Sequence, residues 1–324
     1  MKHRLLLAAV AGAVLVTACG DDSTSTSEPT AATSASPAAT LAAAAFPVSI
    51  TNAGTTVTIK EKPTKIVSLS PTHTETLFAI GAGPQVIAVD NQSNYPANVP
   101  KTDLSGFKPN IEAIAAKKPD LVVVSDDLNN VVAGLRALSI PVLLEPAAQT
   151  FDDAYAEINE LGKATGNAAG AAKTVSDMKA RIDAATKSAP KPVKALTVYH
   201  ELDDGLYSVT SSTFIGSVYK LAGLENVADA APNASSGYPQ LSAEYIVKAN
   251  PDIIALADVK CCAQNAGTVA ARPGFKDLSA VKNGAVVELD DDIASRWGPR
   301  TPELLETVLK AVTKLAGTSS SAAS

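Results

Sequence analysis

Few side chains in this 324-residue chain stand in patterns that do chemistry. Cys261 and Cys262 are adjacent, in Ala257-Asp-Val-Lys-Cys-Cys-Ala. Outside the cell membrane thiols oxidise, and neighbouring cysteines can close into a vicinal disulfide that is more reducible than an ordinary bridge. The alternatives are two free thiols or a soft-metal site. Zinc would ask for more Cys or His close by, and none stands there. His200-Glu201 with Asp203 and Asp204 has the residue types for acid–base work, yet such a cluster after a strand reads as a loop. Asp290-Asp-Asp292 reads as a solvated turn, with a Ca²⁺ contact as the alternative. There is no Gly-x-x-x-x-Gly-Lys-Ser/Thr, no His-Glu-x-x-His and no Gly-x-Ser-x-Gly. Gly81-Ala-Gly83 opens like a dinucleotide loop but lacks the third glycine. No catalytic residue, metal site or cofactor is expected.

The elements that must position these residues come as a repeat. Ser68 to Gly83 lines up with Ser208 to Gly223, and Asn110 to Asp120 lines up with Ser242 to Asp252, in the same order. Each second segment runs into an aliphatic stretch, Leu121-Val-Val-Val124 or Ile253-Ile-Ala-Leu256. The expected elements of the first half are strands over 65–69, 85–89, 121–124 and 141–144. Between them come a helix opened by a capping box at Thr72-His-Thr-Glu75, one capped by Asn110 over 111–117, and one near 128–138. The second half repeats this, with strands near 193–199 and 253–256 and helices from Ser212 and Ser242. Uniformly apolar strands alternating with helices predict parallel sheets covered on both faces. Between the halves, Phe151 to Ala189 has helical spacing (Tyr155, Ile158, Leu161, then Val175, Met178, Ile182), interrupted over Gly162 to Gly170. A helix of about twenty residues there is roughly 30 Å long, enough to join two domains stiffly.

In such a fold, a cleft between lobes is lined by strand ends and the loops after them. The candidates are Tyr95 and Phe107 with Ser70 to His73 in the first half, and His200, Tyr207, Tyr238, Arg296 and Trp297 in the second. Aromatics are only 4% of the chain, so their gathering in loops is informative. Flat rings pack against a corrin or an aryl siderophore. Arg296 and Arg300 bracket Trp297; one is placed to meet an anionic ligand group and the other a structural carboxylate. His73 and His200 read as hydrogen-bonded structural histidines. Glu112 and Glu244 stand at matched places in the repeats, each second after an N-cap, where the helix dipole favours an acid.

The N-terminus gives a location. Lys2 and Arg4 precede fourteen uncharged residues, Leu5 to Ala18, too few to span a bilayer and suited to a signal-peptide core. The run ends in Leu15-Val-Thr-Ala-Cys19-Gly20, which resembles the bacterial lipobox. That resemblance implies cleavage before Cys19 and lipid attached to it, so that the protein is extracytoplasmic and held on the outer face of the membrane. Losing residues 1–18, with two bases and no acids, takes the formal net charge from −6 to −8. An acidic chain argues against a nucleic-acid partner. Residues 20–45 are Ser, Thr, Ala and Pro with a few acids, and are expected to be a disordered tether. The expected organisation is 1–18 signal peptide, 19–45 tether, 46–149 first lobe, 150–190 connecting helices, 191–318 second lobe and 319–324 tail.

Several segments are similar to one family. They are Ile66-Val-Ser-Leu-Ser-Pro71 with Thr74-Glu-Thr-Leu77, Asn110-Ile-Glu112 with Lys118-Pro-Asp-Leu-Val122, Tyr238-Pro-Gln-Leu-Ser242, and Arg296-Trp-Gly-Pro-Arg300. Together they resemble the iron-siderophore and vitamin B12 family of ABC-importer solute-binding proteins, over about residues 46–316. The resemblance implies an α/β fold of the class III solute-binding type, two lobes with parallel sheets joined by a single long rigid helix. It implies a monomer that holds a metal chelate between the lobes and hands it to a membrane permease powered by a separate ATPase. It carries ligand contact onto Tyr95, Phe107, Tyr238 and Arg296, and permease docking onto Glu112 and Glu244. The aromatic positions match the cobalamin branch best, although Trp is absent where that branch would suggest it, at Phe107 and Tyr238; a ferric siderophore or haem is the other cargo. The other classes are a secreted hydrolase or metal-dependent enzyme of similar two-lobed fold, a haem-binding surface lipoprotein, and a surface adhesion lipoprotein.

Overall fold

The computed structural model describes residues 46–321. The expected signal peptide, Cys19, the tether and the last three residues of the tail lie outside them. The chain enters as a hairpin of β1 (Val48–Asn52) and β2 (Thr55–Ile59), paired antiparallel. Sequence reading overlooked it. Its signal was there: Ile50, Val57 and Ile59 point inward at period two, and Ala53-Gly54 turn the chain with φ of 47° and 71°.

The first lobe follows as β3 (Ile66–Ser68), α1 (Pro71–Ala79), β4 (Val86–Val89), α2 (Ile111–Ala115), β5 (Leu121–Val124), α3 (Val131–Ala137) and β6 (Val142–Leu144). Two helices, α4 (Phe151–Thr165) and α5 (Ala168–Ser188), lead to the second lobe. That lobe is β7 (Leu196–Glu201), α6 (Phe214–Leu221), β8 (Leu224–Asn226), α7 (Ala243–Ala249), β9 (Ile253–Leu256), α8 (Val259–Cys262), α9 (Ala266–Ala271), α10 (Ser279–Lys282), β10 (Val286–Glu288) and α11 (Asp291–Ala294). The last helix, α12 (Thr301–Ser321), packs on α5, α6 and α11.

The repeat is real in three dimensions. One sheet is ordered β4-β3-β5-β6 and the other β8-β7-β9-β10, so second, first, third, fourth in both, and every pair is parallel. The Pro-Asp of each repeat does the same job. Asp120 accepts from the backbone N and the hydroxyl of Thr64 at 2.8 and 2.9 Å, and Asp252 accepts from those of Thr197 at 2.9 and 3.1 Å. Asn110 and Ser242 cap α2 and α7 by accepting from the third residue along. α1 and α6 end alike at Gly81 and Gly223, both with positive φ, which shifts that part of the repeat by two residues from the sequence alignment.

Alternate residues of the central strands serve different cores. Leu121 and Val123 join one buried cluster while Val122 and Val124 join another; Ile253 and Ala255 divide from Ile254 and Leu256 in the same way. The shared cluster runs from the hairpin through Leu77, Leu161 and Met178 into Val198, Val218 and Leu305. The two lobes therefore rest on one continuous apolar seam. Val175, Met178 and Ile182 give α5 the buried stripe its spacing predicts, and α4 and α12 lie against it.

Three boundaries moved. Pro71 opens α1 at its first turn, so Ser70 rather than Thr72 is the N-cap, and it makes no side-chain cap bond. The break between α4 and α5 is only Gly166-Asn167. The strand expected from Val193 begins at Leu196, because Val193 is fully exposed.

Candidate functional site: the loops at the sheet ends

Four rings stand in solvent. Of the fourteen Phe, Tyr and Trp residues, the exposed ones are Tyr95 (46%), Phe107 (73%), Tyr207 (41%) and Tyr238 (52%). All four were predicted from their loop positions, two in each lobe. All lie in connections that leave the C-terminal ends of parallel strands, where the backbone turns back and side chains point away from the sheet.

The backbone positions these rings. After β4, Asp90 accepts from the Ser93 hydroxyl at 2.5 Å, and the Asn91 N–H donates to Leu104 O at 2.7 Å. Burial raises the Asp90 carboxyl, and the Ser93 bond draws part of that back. Gly106 lies so close to the Leu69 carbonyl that any Cβ would collide with it. Phe107 follows directly. In the second lobe, residues 207–210 run antiparallel to 237–240. Ser208 and Thr210 donate to Pro239 O and Gly237 O, each at 2.9 Å, and Tyr207 is bridged to Gln240. This small ribbon, one arm between β7 and α6 and the other between β8 and α7, holds Tyr207 and Tyr238.

The lobes meet beside Tyr95. Asn94 Nδ2 donates to Asp292 Oδ2 at 3.0 Å, joining the loop after β4 to the turn after β10. Arg296 donates through Nη1 to Glu75 Oε1 at 2.5 Å and Asn94 Oδ1 at 3.0 Å. Its Nη2 donates to Asp292 Oδ1 at 2.7 Å and Gln92 O at 3.3 Å. Arg300 donates to the same Glu75, through Nε at 2.8 Å and Nη2 at 2.5 Å, and lies 4.2 Å above the Tyr95 ring centroid. The expectations of ligand contact at Arg296 and of an anionic ligand group at one of the two arginines are corrected: Arg296 is buried and both of its Nη atoms donate to the protein. Both arginines serve one structural carboxylate. Glu75, expected as the end of a capping box, is the centre of the inter-lobe joint.

His200 is also corrected. It is wholly buried in β7, with Nδ1 2.5 Å from Tyr219 Oη, so it does not reach the cleft. Burial pushes its imidazole down to about 3 and keeps it neutral. Ser70, Thr72 and His73 are buried too. Trp297 is half-buried. Its Nε1 donates to Glu157 Oε2 at 2.8 Å, and its ring meets the edge of His73 and packs with Ala148, Phe151 and Phe214. It braces the lobe junction rather than standing free. His73 Nε2 is 3.5 Å from Glu157.

Glu112 and Glu244 are exposed in the first turns of α2 and α7, and neither has an ion-pair partner among the described residues. Cys261 and Cys262 are bridged to each other. Among the described residues no group of three or more His, Cys, Asp or Glu is set to hold a metal ion, and no helix is long and apolar enough to cross a membrane.

The family model "Periplasmic binding protein" matches residues 66–293. The chain is 31% identical over 277 residues to the uncharacterized ABC transporter substrate-binding lipoprotein YvrC of Bacillus subtilis, covering 82% of this chain and 86% of that one. It is 32% identical over 267 residues to a cobalamin-binding protein of Halobacterium salinarum, covering 80% and 72%. The crystal structure of a possible iron-binding (periplasmic solute-binding) protein from Staphylococcus epidermidis superposes with a TM-score of 0.67 at 28% identity, over 78% of this chain and 99% of that one. With two parallel sheets in the same strand order on either side of a 21-residue helix, the chain belongs to the periplasmic binding protein family, the solute-binding components of ABC importers.

Proposed function

We propose that this protein is an extracytoplasmic receptor that captures a cobalamin-type corrinoid at the seam of its lobes and hands it to an ABC permease. One observation carries this reading. All four exposed aromatic rings stand in loops at the C-terminal ends of the parallel strands, two in each lobe, while Arg296 and Arg300 at the lobe junction are both committed to Glu75. Such a site favours a broad, flat ligand held by ring contacts over a polyanion held by guanidinium groups. Covering apolar ring surface contributes about 25 cal/mol per Å², and the loops that carry the rings are already fixed, so little ordering entropy opposes it. The named activity of the Halobacterium relative points the same way.

The ligand is cargo and is not transformed. Glu112 and Glu244, one per lobe, are the acids offered to a permease through its basic groups. Cys19 is the lipid attachment point, and residues 20–45 are the tether that keeps the receptor near the transporter.

Thermal unfolding with cyanocobalamin, haemin, ferric citrate and a ferric hydroxamate tests the cargo. A ligand at 100 times its dissociation constant adds about 2.7 kcal/mol of stability. A shift with cyanocobalamin alone is the expected result. A shift with an iron chelate and none with any corrinoid overturns the reading.

A further inference from the structure

Cys261 and Cys262 form no part of the aromatic site, yet a short chain of contacts joins them to the lobe junction. They end α8, a single turn with no buried residue. A lone turn does not hold itself, since nucleation costs more than one hydrogen bond returns. Beside the Cys262 bonds to Asp258 and Gln264, two stronger restraints fix it. One is the bridge, which ties the last two side chains together. The other is Asp291, whose carboxylate accepts from the N–H groups of Val259 at 3.0 Å, Lys260 at 2.9 Å and Cys261 at 3.0 Å. Lys260 Nζ then donates to Asp290 at 2.8 Å and Asp292 at 2.9 Å. Burial alone would raise the Asp290 and Asp292 carboxyls; Lys260 together with the Ile293 N–H at Asp290, and with Asn94 and Arg296 at Asp292, holds both below the usual range. Asp292 is the residue that bonds Asn94 and Arg296 across the lobes. Cys261 is exposed and Cys262 half-exposed, so a reductant can reach the sulfurs.

We propose that Cys261–Cys262 is a redox modification site, opened by an extracytoplasmic dithiol protein, that loosens the lobe junction beside the ligand seam. A partner thiolate attacks Cys261 Sγ, the Cys261–Cys262 bond breaks, and Cys262 leaves as a thiolate that takes up a proton. The partner's second thiol then attacks the mixed disulfide and releases Cys261 as a thiol. The partner supplies both electrons and ends as a disulfide. With the bridge open, α8 keeps its Asp291 contacts and the Cys262 bonds to Asp258 and Gln264, and the Lys260 grip on Asp292 slackens.

The consequence for cargo rests on the proposed function, and the test separates the two. The full chain is purified without reductant and compared with protein treated with dithiothreitol, and with the double variant Cys261→Ser/Cys262→Ser. Alkylation mapped to the peptide holding both cysteines should find no free thiol before reduction and two after. Amide exchange of Val259 to Cys261 should quicken about tenfold in both the reduced protein and the variant. That of Gln92 to Tyr95 should quicken with it, while Ile253 to Leu256 stays slow. Free thiols at the outset, or equal exchange in all forms, overturns the proposal; change in α8 with none at Gln92 to Tyr95 overturns the link to the junction. Titration of cyanocobalamin, followed by Trp297 fluorescence, should show several-fold weaker binding after reduction. If no form binds cyanocobalamin but exchange responds, the corrinoid reading fails and the redox site stands.

Discussion

Glu75 shows how one buried acid can matter more than many exposed ones. Two guanidinium groups converge on it from the segment before α12, so Glu75→Gln leaves both cations facing a neutral amide. Removing one member of a buried ion pair costs about 3–5 kcal/mol, and urea unfolding should register a loss of that order. Phe107 is the opposite case. Its ring touches little, so Phe107→Ala should leave stability within about 0.5 kcal/mol, read by urea unfolding, and weaken corrinoid binding about tenfold, as loss of an aromatic anchor does, read by calorimetric titration. Glu145 supplies a pH dependence. Burial, with Glu160 and Glu157 nearby, pushes its carboxyl from 4.5 up to about 9, and Asn52 Nδ2 donates to it. The folded state therefore keeps a proton that the unfolded chain releases between those values. Stability from this group is greatest below 4.5 and declines as pH rises to about 9. Glu145→Gln should flatten the fall in Tm between pH 6 and pH 9, where each kcal/mol is worth about 2–4 °C in a chain of this size. An equally steep fall in the variant would assign the dependence elsewhere. From sequence, the exposed rings were legible because scarce aromatics in loops have few structural reasons to be there. Arg296 and His200 were not, because burial is a property of the neighbours, and the neighbours are 221 and 19 residues away.

At the scale of elements, legibility followed local chemistry. Asn110 and Ser242 announce α2 and α7, and Leu121–Val124 and Ile253–Leu256 announce strands buried on both faces. Asn110→Ala should cost about 1 kcal/mol, the usual value of a lost N-cap, measured by thermal unfolding. The start of α1 went astray because Thr72-His-Thr-Glu75 satisfies the capping-box pattern while Pro71 settles the first turn two residues earlier. The β1–β2 hairpin escaped because it falls before the repeat, where self-similarity gives no guidance. The ribbon carrying Tyr207 and Tyr238 escaped for a related reason: its Tyr207 arm, between β7 and α6, is an insertion with no counterpart between β3 and α1.

The whole molecule is two lobes on one apolar seam, braced by α5 and α12 and joined at the rim through Glu75, Asp292 and Asn94. That construction opposes wide hinge opening, so the radius of gyration from solution scattering should change little when cargo binds. A large contraction would mean that the seam parts in the free protein. Import in membrane vesicles is the test of the docking acids. Glu112→Gln with Glu244→Gln removes two exposed charges worth only a few tenths of a kcal/mol to their helices, so folding and cargo binding should persist while uptake falls. Unchanged uptake would remove both residues from the docking role.

The shared strand order of the two sheets carries a further consequence. Duplicating the topology duplicates the setting of each matched helix: Asn110 and Ser242 open α2 and α7 alike, and each helix shows one acid in its first turn. Whatever chemistry reads one of these helix starts can read its twin, so either copy can stand in when the other is lost.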